Sequence, residues 1–266
     1  MNINEYLRLS QDKQSLLYTT DIAGEQLRVH EHKGHRWVCS GEQSILSMML
    51  LDRPADPVLP HHVAMLAALL FCNTPKSVLN LGFGTGTFER FFADRFSTTD
   101  IVSVDTSEAV VQLARTNFYI RQDWPVILQS ADEYLQASTQ LFDLILCDIF
   151  SADEHPDCLR NADFYANTAS CLKSGGVMAL NLSPTTEQEL LDILVIMRHS
   201  YAHVALVTLV DYGNLVLFAM QHQPVIIEDQ YKRAKLLGDE LQLDISHIPD
   251  CMTILPAVQS GNTSQQ

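Results

Sequence analysis

The sequence lacks the features that define several classes of protein. No apolar run approaches the roughly 18–20 residues that a helix needs to cross a bilayer, which argues against a membrane protein. The N-terminal stretch is polar and mixed in charge, unlike a secretory signal, so we expect a cytoplasmic protein. The six cysteines form no CxxC pair and show no metal-ligand spacing, so neither a disulfide framework nor a zinc site is expected.

Positive charge is also scarce. The chain has 17 lysines and arginines against 32 aspartates and glutamates, which gives a formal net charge of −15. Binding to nucleic-acid phosphates needs a basic face, so no nucleic-acid partner is expected. The acidic balance is compatible with cationic substrates, and equally with an acidic surface that only keeps the protein soluble.

Core material, by contrast, is ample, because 47% of the 266 residues are hydrophobic. The pattern along the chain predicts three segments. Residues 1–59 form a small β-strand domain, residues 60–223 form a Rossmann-like nucleoside-binding domain, and residues 224–266 form a C-terminal helix and a disordered tail. In the first segment, two alternating runs flank Lys33 and Gly34, which predicts a β-hairpin with His30 on its solvated face.

The middle segment alternates short apolar runs with helix-like stretches, which is typical of a mostly parallel α/β sheet with helices on both faces. Strands are predicted at 77–81, 101–104, 126–129, 141–147, 177–181, 203–209 and 215–220. Because parallel sheets bind ligands at the carboxyl ends of their strands, polar residues that follow these runs are candidates for a shared cleft.

The most informative motif is the glycine-rich turn at 82–86, which follows the first predicted strand and precedes a helix. Glycines allow the backbone to approach a ligand closely, and an acid at the next strand end can accept hydrogen bonds from both ribose hydroxyls. We therefore expect an adenosine-type cofactor to be bound by Gly82, Gly84, Gly86, Asp105 and Thr106.

The glycine spacing bears on the kind of nucleoside. NAD-binding turns read GxGxxG, whereas this turn reads GxGxG, so S-adenosylmethionine or a relative without a pyrophosphate is favoured and NAD stays an alternative. Ala131 and Asp132 follow the third predicted strand, where an acid can accept a hydrogen bond from an adenine amino group. Asp148 follows the fourth strand and should reach the same cleft.

With these motifs the sequence resembles the spermidine synthase (polyamine aminopropyltransferase) family, which is built on the class I methyltransferase fold. The resemblance covers about residues 20–220 and is carried by Gly41-Glu42-Gln43-Ser44, by Leu59-Pro60-His61-His62, and by the block from Asp148 through Phe164-Tyr165 to Gly175-Gly176. It implies decarboxylated S-adenosylmethionine as the donor, a polyamine-type amine as the acceptor, no metal, and a homodimer.

The resemblance also implies roles for single residues. Asp105 would bind the ribose and Asp132 the adenine, with Gln43 beside the donor and His62 beside the acceptor chain. Asp148 would stand at the reaction centre as a catalytic residue. An amine must lose a proton before it attacks the carbon beside a sulfonium, and a carboxylate can attract the ammonium and accept that proton.

Two positions depart from the family pattern. Thr85 stands where the synthases carry an acid in the glycine turn, and Ser151 stands where they carry the second acid, the usual proton acceptor. Asp153 could replace that acid as a catalytic and substrate-binding residue if the loop bulges, or it could be a solvated loop acid. The alternatives are therefore an S-adenosylmethionine-dependent methyltransferase, although Asn80 replaces an acid common there, and a non-catalytic nucleoside-binding relative.

Overall fold

The computed structural model describes residues 3–22, 24–41, 44–72, 74–149, 156–223 and 227–256. Its first part contains helix α1 (Ile3–Leu9) and a four-stranded antiparallel sheet. The strands of this sheet lie side by side in chain order and are β1 (Leu16–Ile22), β2 (Glu25–His32), β3 (His35–Ser40) and β4 (Ser44–Leu50).

The predicted hairpin around Lys33 and Gly34 is present between β2 and β3. Both turn residues have positive φ, 46° and 80°, which matches the right-handed twist of the paired strands. The expectation that His30 faces solvent is wrong. This side chain is buried, lies 2.9 Å from the Ser15 hydroxyl through Nδ1, and stacks on the ring of Trp37.

The second sheet has eight strands. They are β5 (Ser77–Leu81), β6 (Asp100–Asp105), β7 (Val126–Leu128), β8 (Phe142–Cys147), β9 (Leu172–Leu182), β10 (His203–Leu209), β11 (Asn214–Met220) and β12 (Met252–Ile254). The helices in the same part of the chain are α2 (Pro60–Leu66), α3 (Thr87–Arg95), α4 (Glu108–Asn117), α5 (Ala131–Ala137), α6 (Ala162–Ser170), α7 (Glu187–Met197), α8 (Ile227–Leu241) and α9 (Ile248–Cys251). Short 3-10 helices add Ala67–Leu70, Asp157–Arg160 and Val210–Tyr212.

The strand order across this sheet is β12-β10-β11-β9-β8-β5-β6-β7. The pairs from β9 to β7 are parallel, and β10, β11 and β12 form an antiparallel edge. Successive residues of β8 face opposite cores: Leu144 packs with α2 and α3, and Ile145 packs with α6 and α7. The predicted α/β sheet with helices on both faces is therefore confirmed.

Two strands of the second sheet begin or lie where the sequence pattern did not place them. β9 starts at Leu172 rather than at residue 177, because Gly175 (φ +80°) lets the chain bulge and still pair with β8. β12 comes from the C-terminal part and pairs with β10, while residues 257–266, with the expected disordered tail, lie outside the described residues. The division at 59/60 and 223/224 stays a prediction. In the described ranges, each helix is too short or too polar to cross a membrane.

Candidate active site

A cleft of about 1320 Å³ opens at the carboxyl ends of β5, β6 and β8. It is bordered on one side by the glycine turn and on the other by α2 and by residues of α1 and β4 from the first part of the chain. The predicted site residues that line it are His62, Gly82, Gly84, Asp105, Thr106, Ala131, Asp132 and Asp148. The parallel sheet thus brings most of the candidates to one place.

Four candidates remain, of which only Gly86 is among the described residues. Gly86 is not among the lining residues; it precedes α3 with φ +74°, and a Cβ there would lie 2.2 Å from Cδ1 of Ile120, so close packing accounts for this glycine. Its predicted contact with a nucleoside stays a prediction. Gln43, Ser151 and Asp153 lie outside the described residues.

The glycine turn is fixed by the two neighbouring strands. The backbone N–H groups of Gly82 and Phe83 both donate to the carbonyl of Val104, at 3.0 and 3.2 Å. Gly82 has φ +90°, and a Cβ on it would lie 2.3 Å from the backbone oxygen of Asp148, so only glycine fits between these strand ends. A Cβ on Gly84, by contrast, would meet nothing within 4 Å, and this open backbone is where a ligand could approach.

Asp105 ends β6 and is held by backbone groups on either side. Oδ2 accepts a hydrogen bond from the N–H of Gly84 at 3.1 Å, and Oδ1 accepts one from the N–H of Ser107 at 2.8 Å. Burial raises the pKa of Asp105, and these backbone donors offset only part of that increase. The carboxylate lines the cleft, where it can accept hydrogen bonds from the two hydroxyls of a ribose.

Asp148 directly follows β8 and is held by side chains from two other elements. Oδ1 accepts a hydrogen bond from Nδ2 of Asn181 on β9 at 2.8 Å, and Oδ2 lies 3.2 Å from Nε2 of His62 on α2. Burial by itself raises the pKa of Asp148, but the hydrogen bonds from His62 and Asn181 hold it well below its usual range. Asp148 is therefore an ionised carboxylate with a fixed orientation.

His61 lies beside this carboxylate and also lines the cleft. Its ring centroid is 4.3 Å from that of His62, and burial together with His62 lowers the pKa of His61 to about 3, so the ring is neutral. One atom from each of His61, His62 and Asp148 lies within 4.8 Å of the other two, close enough for the group to share a single cation. The prediction that no metal is required stays a prediction.

Asn181 was not among the residues predicted from the sequence, and His61 was named there only as part of the motif that opens α2. Asn181 is the polar residue near the end of an apolar strand that follows the Asp148 strand, and the carboxyl ends of neighbouring parallel strands meet. That position was a usable signal for Asn181. Asn214, at the start of β11, donates to the side-chain oxygen of Asn181 at 3.2 Å and extends the chain of hydrogen bonds away from Asp148.

Thr85 occupies the position in the glycine turn where the spermidine synthases carry an acid. The side chain is buried, and its hydroxyl is hydrogen-bonded to the hydroxyl of Ser47 on β4. This neutral pair joins the first sheet to the glycine turn, so the position carries no charge that could hold a second ammonium group.

The charge of the cleft is nevertheless strongly negative. Its described lining contains six acids and, from lysine and arginine, only Arg160, which donates to Glu189 at 3.0 Å. The acids are Asp105, Asp132, Asp148, Asp157, Glu189 and Asp211. Such a site favours a cationic ligand over an anionic one.

Known proteins of two kinds resemble this chain. A family model described as a methyltransferase domain matches residues 78–176. A polyamine aminopropyltransferase from Chromobacterium violaceum is 26% identical over 220 residues, which cover 82% of this chain and 84% of that protein. A malonyl-[acyl-carrier protein] O-methyltransferase from Legionella pneumophila is 30% identical, over 57% of this chain and 52% of that protein.

A solved structure supports the same fold. That of a probable spermidine synthase from Corynebacterium glutamicum aligns with a TM-score of 0.71 at 17% identity, over 89% of each chain. The resemblance to polyamine aminopropyltransferases is therefore confirmed, together with the class I methyltransferase fold. Because the relatives include both aminopropyltransferases and a methyltransferase, the reaction has to be argued from the cleft itself.

Proposed function

We propose that this protein transfers an aminopropyl group from decarboxylated S-adenosylmethionine to a polyamine-type amine. The observation that carries the proposal is the ionised Asp148, held by Asn181 and His62 at the centre of an acidic cleft. Both reactants are cations, a sulfonium and an ammonium, and a fixed carboxylate in such a cleft attracts both.

In this proposal the nucleoside lies across the strand ends. Gly82 and Gly84 supply the open backbone, Asp105 and Thr106 bind the ribose, and Ala131 and Asp132 border the adenine. Asp105 fits this role because backbone N–H groups already fix its carboxylate, so little order is lost when a ribose binds. Gly86 and Gln43 remain part of the predicted nucleoside site.

Transfer itself needs an amine placed next to the carbon that is bonded to the sulfonium, in line with the carbon–sulfur bond that breaks. Asp148 would hold the ammonium group, with His62 and Asn181 keeping its two oxygens in place. The sulfonium is already an activated leaving group, so no metal is needed for the step. From the sequence we also propose Ser151 and Asp153 as contacts of the acceptor, and Asp153 as a catalytic residue. The proposal keeps the cytoplasmic location and the homodimer expected from the sequence and the resemblance.

Methyl transfer from S-adenosylmethionine is the second candidate, because the methyltransferase domain model and the Legionella relative favour it. Incubation with each donor and a panel of amines, followed by mass analysis, separates the two reactions. A mass gain equal to an aminopropyl group supports the proposal. A gain equal to a methyl group contradicts it, and so does the absence of product, which favours a non-catalytic nucleoside-binding protein.

The role of Asp148 can be tested in the same assay with Asp148→Asn. We expect kcat to fall at least about 100-fold because the ammonium loses its counter-charge, while methylthioadenosine binding changes less than about tenfold. Asp100→Asn, an exposed acid at the other end of β6, serves as the control and should keep full activity. A fully active Asp148→Asn protein would remove Asp148 from the reaction centre.

A further inference from the structure

The acidic cleft leaves open what lies beyond the amino group of the acceptor. We propose that the acceptor is a primary amine with a single positive charge, whose uncharged carbon chain lies on the wall of the cleft formed by residues 3–59. The inference rests on the proposed function and deepens it, because it names the class of amine that receives the aminopropyl group.

This wall consists of the residues that the first part of the chain contributes to the cleft. Nine of the described residues before α2 line the cleft, of which seven are leucine or isoleucine and two are serine. All six acids of the described lining come from residues 105–211 instead. We call the uncharged side the aliphatic wall. Its members that pack in one cluster with Trp37 are Ile3, Leu7, Ile45 and Leu59.

The aliphatic wall begins beside the proposed ammonium site. Leu59 is fully buried and directly precedes α2. Three residues further along, Nε2 of His62 lies 3.2 Å from Oδ2 of Asp148. Because three residues of a helix rise only about 4.5 Å, the wall is within reach of a short carbon chain whose amino group is held by Asp148.

The wall is also neutral where it meets the glycine turn. Ser47 of β4 and Thr85 of the turn are both buried, and their hydroxyls are hydrogen-bonded to each other. An ammonium group placed here would lose its water without gaining a carboxylate, and such desolvation is costly. A methyl group at the same place meets no such cost, since it leaves water readily.

The acids on the opposite side do not offer an equivalent second site. Two of them belong to the proposed nucleoside site. Glu189 already accepts hydrogen bonds from Arg160 at 3.0 Å and from the N–H of Thr185 at 2.9 Å. Asp157 and Asp211 are exposed, and an ion pair with an exposed acid contributes little. The buried surface next to Asp148 therefore favours an acceptor whose far end is uncharged.

Two amines of equal length test this proposal on the unaltered protein. Pentylamine and 1,4-diaminobutane have the same number of non-hydrogen atoms and differ only in a terminal methyl or ammonium group. With decarboxylated S-adenosylmethionine as donor, we expect kcat/KM to be at least about tenfold higher for pentylamine, because the wall desolvates the far end of the acceptor. From propylamine through butylamine to pentylamine, kcat/KM should rise about fourfold for each methylene that becomes buried.

Leu7→Asp tests the wall itself, because it places a carboxylate at a partly buried position that lines the cleft. We expect the preference to shift toward 1,4-diaminobutane by at least about tenfold, with the Kd for methylthioadenosine unchanged within about twofold. The matched control is Asn4→Asp, which makes the same change in charge at an exposed position of the same helix outside the lining. This control should keep the preference of the unaltered protein.

Each outcome supports or overturns the proposal. A preference for pentylamine below about tenfold, equal use of the two amines, a preference for 1,4-diaminobutane, or no gain along the alkylamine series overturns it, while aminopropyl transfer itself stands. An unchanged preference in a folded Leu7→Asp protein also overturns it. If the unaltered protein transfers no aminopropyl group to any amine, the proposed function fails as well.

Discussion

At the scale of single residues, the acids at strand ends could be predicted, but the contact that holds Asp148 against His62 could not. Asp105 and Asp148 each follow an apolar run, and parallel topology alone brings such residues to one edge. The contact between Asp148 and His62, by contrast, depends on how α2 packs over the sheet. The prediction that His30 faces solvent was wrong for a related reason. The alternation of residues along a strand does not say which face of the first sheet is covered, and His30 stacks on Trp37.

Asp105→Asn tests the nucleoside site at this scale. Asparagine keeps the size of the side chain but replaces one acceptor oxygen with an NH₂ group, which cannot accept from Gly84 or Ser107 or from a ribose hydroxyl. We expect the Kd for methylthioadenosine, measured by calorimetry, to rise about 100-fold or more. The Asp100→Asn control should bind normally, and unchanged affinity of Asp105→Asn would exclude the ribose contact.

At the scale of elements, the pattern located the central strands, because β5 and most of β8 are buried on both faces and read as apolar runs. It missed β1, whose residues are mostly exposed, and β12, which has only three residues. The early start of β9 was hidden because Gly175 and Gly176 read as a turn. In the fold the first of these glycines takes a left-handed conformation within a bulged strand.

A buried network joins β5, β6 and α3 beneath the glycine turn. Oε1 of Glu89 accepts hydrogen bonds from Nδ2 of Asn80 at 2.7 Å and from the hydroxyl of Ser103 at 2.6 Å. Burial raises the pKa of Glu89, only partly offset by these donors. An acid whose pKa is higher in the folded than in the unfolded state stabilises the fold most below its unfolded pKa. That stability is lost as the pH rises through the folded value.

Glu89→Gln is therefore expected to remove this loss. Glutamine keeps the acceptor for Asn80 and Ser103 without a charge, so the variant should gain stability over the unaltered protein as the pH rises from about 4.5 to 8. Urea unfolding across that range measures the difference, with the exposed Glu133→Gln as the control. Glu89→Ala should instead cost about 2–4 kcal/mol, because two buried donors lose their acceptor. Stability curves that stay parallel for Glu89→Gln and the unaltered protein would contradict a raised pKa of Glu89.

At the scale of the whole molecule, the cleft is shared between the two sheets and its charge follows the composition of the chain. Ile3 and Leu7 of α1 and Ser47 of β4 line it together with the glycine turn. The net charge of −15 suggested a cationic ligand without locating it, since charged residues far apart in sequence meet only after folding. The structure gathers six acids around this one cleft.

Donor preference tests the central claim most directly, because the two proposed donors differ only by a carboxylate. Calorimetry on the unaltered protein should give a Kd for decarboxylated S-adenosylmethionine at least about tenfold lower than for S-adenosylmethionine, since an acidic cleft repels the extra negative charge. Equal affinities, or tighter binding of S-adenosylmethionine, would contradict an aminopropyltransferase and favour methyl transfer.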